Sequence, residues 1–260
     1  MKIIQINDQT FGICVNCGKK FEINPAVLGY IQNNDIPIDY CDDCWEKKKK
    51  EQEDREFQNR LPEIIAEAEI PRGYITDRET GEKMTVPPMK FVFEWIWANR
   101  ERNILLTGNT GTGKSTSACF ALERLIEETR RAKRYRYAKL RKLLSEWRDA
   151  KTADNTRFAD EAFFNRIGEL DILVLDEVID KAKTTESGQE MMFELLDRIA
   201  DGELKTKLWL LGNFRQGSII ALFGDEAPVR RRIEENFICA GIAKNKVEVF
   251  HVWNWNRQKR

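Results

Sequence analysis

With 260 residues, the chain is long enough for one medium domain together with a small module. Lysine plus arginine and aspartate plus glutamate number 43 each, so the overall charge gives no sign of nucleic-acid binding, which would have to lie in local patches. The N-terminus lacks a cleavable hydrophobic segment, and no apolar run approaches the ~20 residues that span a bilayer. We therefore expect a soluble cytoplasmic protein that does not contact a membrane.

Four of the six cysteines lie in the first 45 residues as two C-x₂-C pairs that are separated by 23 residues: Cys14 with Cys17, and Cys41 with Cys44. This arrangement is close to the usual spacing of a tetrahedral Cys₄ zinc site, whereas disulfides would need an oxidising compartment. We predict a structural Zn²⁺ ion in a module at residues 1–45. Four protein ligands leave no coordination position open for catalysis by this metal.

Residues 46–70 are predicted to form a charged helical linker. Four consecutive lysines, Lys47 to Lys50, are followed by acidic residues at helical spacing. These lysines could contact DNA, but a solvated helix face is the simpler interpretation. Pro71 and Gly73 interrupt the pattern, and the larger domain is predicted to occupy residues 71–260.

Residues 108–115 have the sequence Gly-Asn-Thr-Gly-Thr-Gly-Lys-Ser, which matches the phosphate-loop pattern G-x-x-x-x-G-K-[ST]. A strand-like segment at 103–107 precedes the pattern and a helix-forming segment at 116–129 follows it, as the motif requires. Glycines allow successive backbone N–H groups to face phosphate oxygens at the positive end of the helix. The three glycines in this loop are Gly108, Gly111 and Gly113.

The loop predicts an ATP site. Lys114 is expected to contact the β and γ phosphates, and the Ser115 hydroxyl is expected to bind Mg²⁺. The predicted cofactor-binding residues further include four polar neighbours in and beside the loop: Asn109, Thr110, Thr112 and Thr116.

The segment Asp-Ile-Leu-Val-Leu-Asp-Glu at 171–177 predicts a strand buried on both faces, with two carboxylates at its carboxyl end. Asp176 is the predicted Mg²⁺ anchor, and Glu177 is predicted to polarise the water that attacks the γ-phosphate. The alternative is that the pair only terminates a strand, but the upstream phosphate loop favours an ATPase site. Asn213 follows a predicted strand at 207–212 and is expected to orient the same water.

The remaining segments alternate between strands at 135–140, 172–176, 207–212 and 247–253, and helices at 141–150, 158–167 and 189–200. This order predicts an α/β domain with a parallel sheet. Eight of the thirteen residues at 130–142 are basic, and Tyr135 and Tyr137 lie between these basic residues. Such a segment could bind single-stranded DNA through phosphate contacts and stacking, and an exposed strand face is an equal alternative.

A helix is predicted around residue 232. Apolar residues at four-residue spacing predict one buried stripe on this helix: Val229, Ile233 and Phe237. Arg230 and Arg232 flank the stripe, and Arg231 points away from it. An arginine at the edge of a packed face is placed to reach the γ-phosphate of a neighbouring subunit.

From about Pro87 onwards, the chain resembles AAA+ ATPases of the bacterial helicase-loader type, DnaC and DnaI. The resemblance covers the phosphate loop, the Leu-Val-Leu-Asp-Glu strand, Asn213, and two further stretches: Leu222-Phe223-Gly224 and Val252-Trp253-Asn254-Trp255. It implies a P-loop AAA+ domain without a C-terminal helical lid. It also places Arg232 at the arginine-finger position, while Arg231 stands where loaders commonly have an acid.

The N-terminal cysteine module is similar to that of DnaI-type loaders, in which it grips the hexameric replicative DNA helicase. The resemblance implies a protein that self-associates with ATP, holds this helicase and places it on single-stranded DNA at replication initiation, with hydrolysis driving release. Two alternatives stay open at this point. One is a transposition-helper ATPase of the IstB type, and the other is a nucleotide-switched adaptor that does not hydrolyse ATP.

Overall fold

The computed structural model describes residues 3–6, 9–24, 40–77, 79–130, 132–153, 157–178, 186–213 and 227–250. The chain divides into two compact units, Met1–Pro62 and Glu63–Arg260. The predicted fold class is confirmed, because a mixed α/β unit with a parallel sheet follows an N-terminal cysteine cluster. None of the described helices is long and apolar enough to cross a bilayer.

The first unit contains an antiparallel sheet of three strands: β1 (Ile3–Ile6), β2 (Gln9–Ile13) and β3 (Lys20–Ile23). Gly12 on β2 pairs with Phe21 on β3, and a Cβ atom at Gly12 would lie 2.6 Å from the Phe21 ring. A long helix, α1 (Asp42–Glu67), begins directly after Cys41 and contains Cys44 in its first turn; it begins in the first unit and ends in the second. Two aspartates in its first turn suit the positive end of the helix dipole.

The second unit contains a sheet of six strands with the order β5-β6-β7-β4-β8-β9. The strands are β4 (Asn103–Thr107), β5 (Tyr135–Lys139), β6 (Ile172–Asp176), β7 (Lys207–Gly212), β8 (Phe237–Ala243) and β9 (Lys246–Val249). Strands β5, β6, β7, β4 and β8 run parallel, so their carboxyl ends meet at one edge, and β9 is antiparallel to β8.

In the described part of this unit, six helices connect or flank the strands. They are α2 (Lys90–Ala98), α3 (Lys114–Thr129), α4 (Leu140–Ala153), α5 (Arg157–Gly168), α6 (Glu186–Ala200) and α7 (Ala227–Asn236). The central strands are almost continuously apolar, which suits a sheet covered on both faces. Leu106, Leu173 and Trp209 are fully buried, one on each of β4, β6 and β7. This core fixes the edge of the sheet at which the phosphate loop begins.

One prediction about the C-terminal part is wrong. Phe237 does not extend the helical stripe, because α7 ends at Asn236 and Phe237 begins β8, a strand that the sequence analysis missed. The backbone is extended here because β8 pairs with β4, starting with Phe237 opposite Asn103. The strand predicted at 247–253 is the antiparallel strand β9, and residues 251–253 lie outside the described residues.

Candidate nucleotide site and metal centre

The phosphate loop connects β4 to α3. Its backbone conformation and its close packing explain why glycine occupies three of its positions. Gly111 and Gly113 have φ angles of 81° and 77°, in the left-handed region that other residues rarely adopt. A Cβ atom at Gly113 would also lie 2.5 Å from Cγ of Met89, so the loop packs tightly at this point. At Gly108, a Cβ atom would approach Ile242 to 3.1 Å.

Lys114 is the first residue of α3 and is only 5% exposed. Its Nζ atom donates hydrogen bonds to the carbonyl oxygens of Gly108 at 2.8 Å and Asn109 at 2.9 Å, and to Oγ1 of Thr112 at 3.2 Å. Burial lowers the pKa of Lys114 to about 8, and the negative charge of Asp176 opposes this effect. A buried ammonium group inside a glycine-rich loop at a helix N-terminus is suited to a polyphosphate.

The other predicted residues of the loop differ in their exposure. Asn109, Thr110 and Gly111 are exposed, whereas Thr112, Ser115 and Thr116 are partly buried. Ser115 lies in the first turn of α3, directly after Lys114. A hydroxyl here and a carboxylate at Asp176 are hard oxygen donors of the kind that Mg²⁺ prefers. The donor set therefore fits the predicted ion.

Asp176 ends strand β6 and is 5% exposed. Its Oδ2 atom accepts a hydrogen bond of 2.5 Å from the hydroxyl of Tyr137, and its Oδ1 atom accepts one of 2.7 Å from the backbone N–H of Glu177. Burial, together with the charge of Asp176, raises the pKa of Tyr137, so this hydroxyl keeps its proton. Two donors therefore fix the orientation of the carboxylate.

Sequence analysis missed this role of Tyr137, which lies on β5 and was considered for base stacking. The available signal was the strand pairing: β5 is the neighbour of β6, and an inward-facing tyrosine on it can reach the end of β6.

Glu177 has a left-handed backbone with a φ angle of 56°, which is uncommon for a residue other than glycine. Its carboxylate accepts a hydrogen bond of 2.6 Å from Nζ of Lys139, and both side chains are about half exposed. Lys139 is the cross-strand partner of Asp176 at the end of β5. The hydrogen bond that Lys139 donates to Glu177 raises the pKa of Lys139. In this structure, the carboxylate of Glu177 is thus engaged by a cation of its own subunit.

Asn213 directly follows β7, which lies between β4 and β6 in the sheet. Its Nδ2 atom donates a hydrogen bond of 3.3 Å to Oγ1 of Thr110 in the phosphate loop. Three neighbouring strands therefore carry the loop, Asn213 and the pair Asp176 and Glu177 at the same edge of the sheet.

Arg232 contacts its own subunit. Its Nη2 atom forms an ion pair with Asp197 on α6, and its guanidinium lies 4.9 Å from the centre of the Phe193 ring. Arg231 is exposed and pairs with Glu235 at 2.7 Å on the same helix. No contact of either arginine with the phosphate loop is present among the described residues. The side chains of Val229 and Arg230 lie outside the described part, as do the stretches 222–224 and 252–255.

The four predicted zinc ligands come together in the first unit. The Sγ atoms of Cys14, Cys17, Cys41 and Cys44 all lie within 4.8 Å of one another. A tetrahedron of thiolates with Zn–S bonds of ~2.3 Å has S···S edges of ~3.8 Å. The Sγ atoms of Cys17 and Cys41 lie 3.7 Å apart, which is close to this edge length, so the cluster fits a zinc ion.

The backbone around the first pair of cysteines turns at Gly18, which has a φ angle of 71° and donates its N–H to the carbonyl of Cys14. The two remaining cysteines are buried in the second unit. Burial raises the pKa of Cys239 to about 12 and that of Cys119 well above its usual value. Both cysteines are therefore apolar core residues with protonated thiols.

The basic segment 130–142 does not present its tyrosines to a ligand. Tyr135 and Tyr137 are buried on β5. Several of its cations pair with acids of the same unit: Arg134 with Glu169, Arg136 with Glu69 and Glu146, Lys139 with Glu177, and Lys142 with Glu69. The stacking hypothesis for the tyrosines is therefore wrong, because both are buried on strand β5, and Arg136 and Lys139 on the same strand pair with acids.

The loop, the buried lysine and the carboxylates at the adjacent strand end define a P-loop nucleotide-binding protein with a parallel α/β sheet. A model of the IstB-like ATP binding protein family matches residues 89–227, which include all of these features. The chain belongs to this family, and membership supports ATP as the bound nucleotide. No curated protein matches the chain.

Solved structures similar to the chain include replication proteins. The DnaC helicase loader has 15% sequence identity and a TM-score of 0.46, over 58% of this chain and 86% of that chain. DnaI has 14% identity and a TM-score of 0.45, over 66% of this chain and 94% of that one. AMPPCP-bound DnaA from Aquifex aeolicus has 21% identity and a TM-score of 0.43, over 58% of this chain and 44% of that one.

Proposed function

We propose that this protein hydrolyses ATP and uses the cycle to load a hexameric replicative DNA helicase onto single-stranded DNA. The observation that carries the enzymatic part is the meeting of the phosphate loop, Asn213 and the pair Asp176 and Glu177 at one edge of the sheet. The loader part is supported by the cysteine module in front of the family's ATP-binding region, since the sequence resemblance assigns such modules to gripping the helicase.

Each residue of the site has a distinct task in this proposal. The loop N–H groups and Lys114 bind the phosphates, and Ser115 and Asp176 hold Mg²⁺, with Tyr137 fixing the carboxylate of Asp176. When bound, Mg²⁺ neutralises charge on the phosphate oxygens during transfer. Glu177 and Asn213 orient the attacking water, because phosphoryl transfer depends on positioning and electrostatics more than on covalent chemistry.

The ion pair with Lys139 leaves two routes for this chemistry. Nζ of Lys139 donates its hydrogen bond of 2.6 Å to one oxygen of the Glu177 carboxylate, Oε1, and a carboxylate has a second oxygen and further lone pairs with which to accept. Glu177 can therefore orient the water through Oε2 with the ion pair kept, or through Oε1 after exchange of Lys139. Because both side chains are about half exposed, the exchange costs little free energy.

In the proposal, the chain consists of a zinc-binding module at residues 1–45, a charged helical linker at 46–70 and the ATPase domain at 71–260. In the proposal, zinc holds the first module in the shape that binds the helicase. The ATPase domains of several copies associate when ATP is bound, and an arginine of one subunit completes the site of the next. The protein acts in the cytoplasm, where the replication machinery assembles.

Co-purification tests the partner. The tagged full-length protein is incubated with a hexameric replicative helicase from the same cell, with ATP and Mg²⁺, and the complex is isolated through the tag. We expect the wild type to retain the helicase and Cys14→Ser to lose it. Failure to retain the helicase, together with retention of a transposase in a parallel incubation under the same conditions, would reject the loader function in favour of transposition.

A turnover assay tests the enzymatic part with the same preparation. We expect release of phosphate from ATP by the wild type and a large decrease with Glu177→Gln. Tight ATP binding without turnover, even with helicase and single-stranded DNA present, would show a nucleotide-switched adaptor.

A further inference from the structure

We infer that residues 68–74, which directly follow helix α1, hold the Mg²⁺-binding carboxylate of Asp176 in place by way of Tyr137. Tyr74 is then a positioning residue of the nucleotide site, because it acts on the carboxylate through the ring of Tyr137. The inference rests on the proposed function, in which Asp176 holds Mg²⁺.

Tyr137 is held at three points. Its backbone N–H donates a hydrogen bond of 2.8 Å to the carbonyl oxygen of Ala68. Its ring packs edge-to-face against the ring of Tyr74, with a centroid distance of 6.0 Å and an interplanar angle of 71°. Its hydroxyl donates the hydrogen bond of 2.5 Å to Oδ2 of Asp176. Two of the three points therefore belong to the segment 68–74, and the third is the carboxylate itself.

The place of Tyr137 in the sheet explains why it is held by a segment outside the sheet. Strand β5 is the outermost strand on its side of the described six-stranded sheet, and it pairs with β6. A strand at the edge of a sheet presents backbone groups that have no partner strand. At Tyr137, the Ala68 carbonyl oxygen takes the place of such a partner.

The backbone at the end of α1 turns the chain onto β5. The N–H of Ile70 donates to the carbonyl oxygen of Ile65, and the N–H of Glu69 donates to that of Ala66, which is the hydrogen-bond pattern of a helix that ends in a left-handed residue. Glu69 is this residue, with a φ angle of 57°. Glycine usually occupies this position, because a side chain makes the conformation unfavourable. A glutamate here therefore indicates a compensating interaction of its side chain.

The carboxylate of Glu69 attaches this turn to β5 and α4. It accepts hydrogen bonds of 3.1 and 3.3 Å from Nη2 of Arg136, the residue before Tyr137, and its Oε2 atom lies 2.9 Å from Nζ of Lys142. The Arg136 side chain is only 20% exposed, so its ion pair is screened less than one on the open surface. The turn is thus fixed to the strand directly beside the bond between Ala68 and Tyr137.

These contacts connect the end of α1 to the predicted metal ligand without a gap. The Tyr137 hydroxyl lies at the far end of a rigid ring, so a shift of that ring displaces the hydroxyl from Asp176. Groups that orient a metal ligand in this way typically change the metal affinity ~10–100-fold when they are removed. Loss of the Tyr74 ring, which frees one side of Tyr137, should therefore weaken Mg²⁺ binding.

The test measures how Mg²⁺ strengthens ATP binding by the full-length protein, with a fluorescent ATP analogue titrated with MgCl₂. We expect Tyr74→Ala to need ~10-fold more Mg²⁺ than the wild type, at the lower end of the range because Tyr74 acts through Tyr137. Affinity for the analogue without added Mg²⁺ should stay unchanged, since the phosphate loop and Lys114 are intact. Tyr74→Phe, which keeps the ring, should restore the Mg²⁺ requirement of the wild type.

Two further variants separate positioning from stability. Trp97→Ala removes another partly buried aromatic residue of the second unit, one that stacks on Phe93, and should lower the Tm without changing the Mg²⁺ requirement. Tyr137→Phe keeps the ring but lacks the hydroxyl, so adding Tyr74→Ala to it should not raise the Mg²⁺ requirement further. Tyr74→Leu, which fills more of the space, provides the same comparison if Tyr74→Ala does not fold.

Three results would overturn the inference: a Mg²⁺ requirement that Tyr74→Ala leaves unchanged, an equal increase with Trp97→Ala, or additive effects of the two tyrosine variants. The measurement needs no turnover, so its failure is distinct from failure of the proposed function. If the wild type itself binds the analogue equally with and without Mg²⁺, the Mg²⁺ site of the proposed function is wrong and the inference falls with it. If only Tyr74→Ala matches the wild type, the role of residues 68–74 alone is wrong.

Discussion

Each of the two units of the chain is stabilised internally by a different kind of interaction. In the described part of the first unit, buried apolar side chains are few, and two of them are Cys14 and Cys41 of the four-cysteine cluster. The second unit has an extensive core that includes the fully buried Leu106, Leu173 and Trp209. A small module cannot bury enough apolar surface to be stable alone, whereas a larger unit can. The comparison implies that metal loss and nucleotide loss should affect different halves of the chain.

The largest effect is expected from removing the metal. Chelation, or Cys14→Ser, should unfold the first unit, because structural Zn²⁺ contributes ~10–16 kcal/mol of apparent binding free energy to the folding of such modules. ATP binding by the second unit should persist. Zinc content and hydrogen exchange of the two units measure this separation, and Cys119→Ala, at a buried cysteine outside the cluster, is the control. Purified protein without zinc, or loss of ATP binding on chelation, would contradict the comparison.

Phe163→Ala should act only on the second unit. The ring is buried and packs edge-to-face on Phe164 with a centroid distance of 5.3 Å. We expect the free energy of unfolding of this unit to fall by about 3–5 kcal/mol, while the zinc content stays the same. Trp45→Ala, at an exposed aromatic residue of the first unit, is the control and should have little effect on the Tm. Equal destabilisation of both units by Phe163→Ala would mean that they unfold together.

Lys114→Ala should abolish high-affinity ATP binding and leave the metal module intact. No other cation is placed in the loop, and loss of charge-assisted hydrogen bonds should raise the Kd ~10²-fold or more. A fluorescent ATP analogue measures the affinity, and Lys142→Ala, at an exposed lysine that pairs with Glu69, is the control. Equal affinities of wild type and Lys114→Ala would remove the phosphate loop from the nucleotide site.

Glu177→Gln should separate turnover from binding within the second unit. The amide cannot accept a proton from water, so we expect kcat to fall ~10²–10³-fold with little change in ATP affinity. Steady-state kinetics and equilibrium binding together measure this split. The matched control is Glu169→Gln, at an exposed acid that pairs with Arg134. A variant with the turnover of the wild type would assign the attacking water to another residue.

The smallest effect is expected for Tyr137→Phe, which removes the hydroxyl that binds Asp176. One lost hydrogen bond to a buried carboxylate should cost about 1–3 kcal/mol of stability in the second unit. Chemical unfolding measures the change, and Tyr135→Phe is the control because its hydroxyl makes a longer contact of 3.4 Å with Thr129. If both variants are equally stable, Tyr137 does not hold Asp176.

Much of the nucleotide site could be predicted because its information is local in sequence. The phosphate loop is a contiguous pattern with strong backbone requirements at Gly111 and Gly113, and the buried strand before Asp176 is a short apolar run. Asn213 could be placed because a polar residue at the end of a buried strand lies at the ligand-binding edge of a parallel sheet. The parallel α/β class followed from the alternation of segments.

The missed features depend on contacts between distant segments. Strand β8 contains Cys239, Ala240 and Gly241, and a short run rich in small residues has little intrinsic preference for a strand. Its extended form is stabilised by pairing with β4, which lies more than a hundred residues earlier. The pairs Tyr137 with Asp176 and Arg232 with Asp197 likewise join different elements. Residue spacing alone cannot predict them.

Met89 packs against the phosphate loop and supports its backbone. Its side chain lies against Gly113, and its carbonyl oxygen accepts a hydrogen bond of 3.5 Å from the Ser117 hydroxyl in the first turns of α3. The residue that precedes helix α2 therefore supports the loop from behind. A fragment of the protein that begins at Lys90 would retain the complete phosphate-loop sequence and lose this support. Fragments for ligand screening or crystallisation should accordingly start upstream of Met89, even though the nucleotide motif itself begins at Gly108.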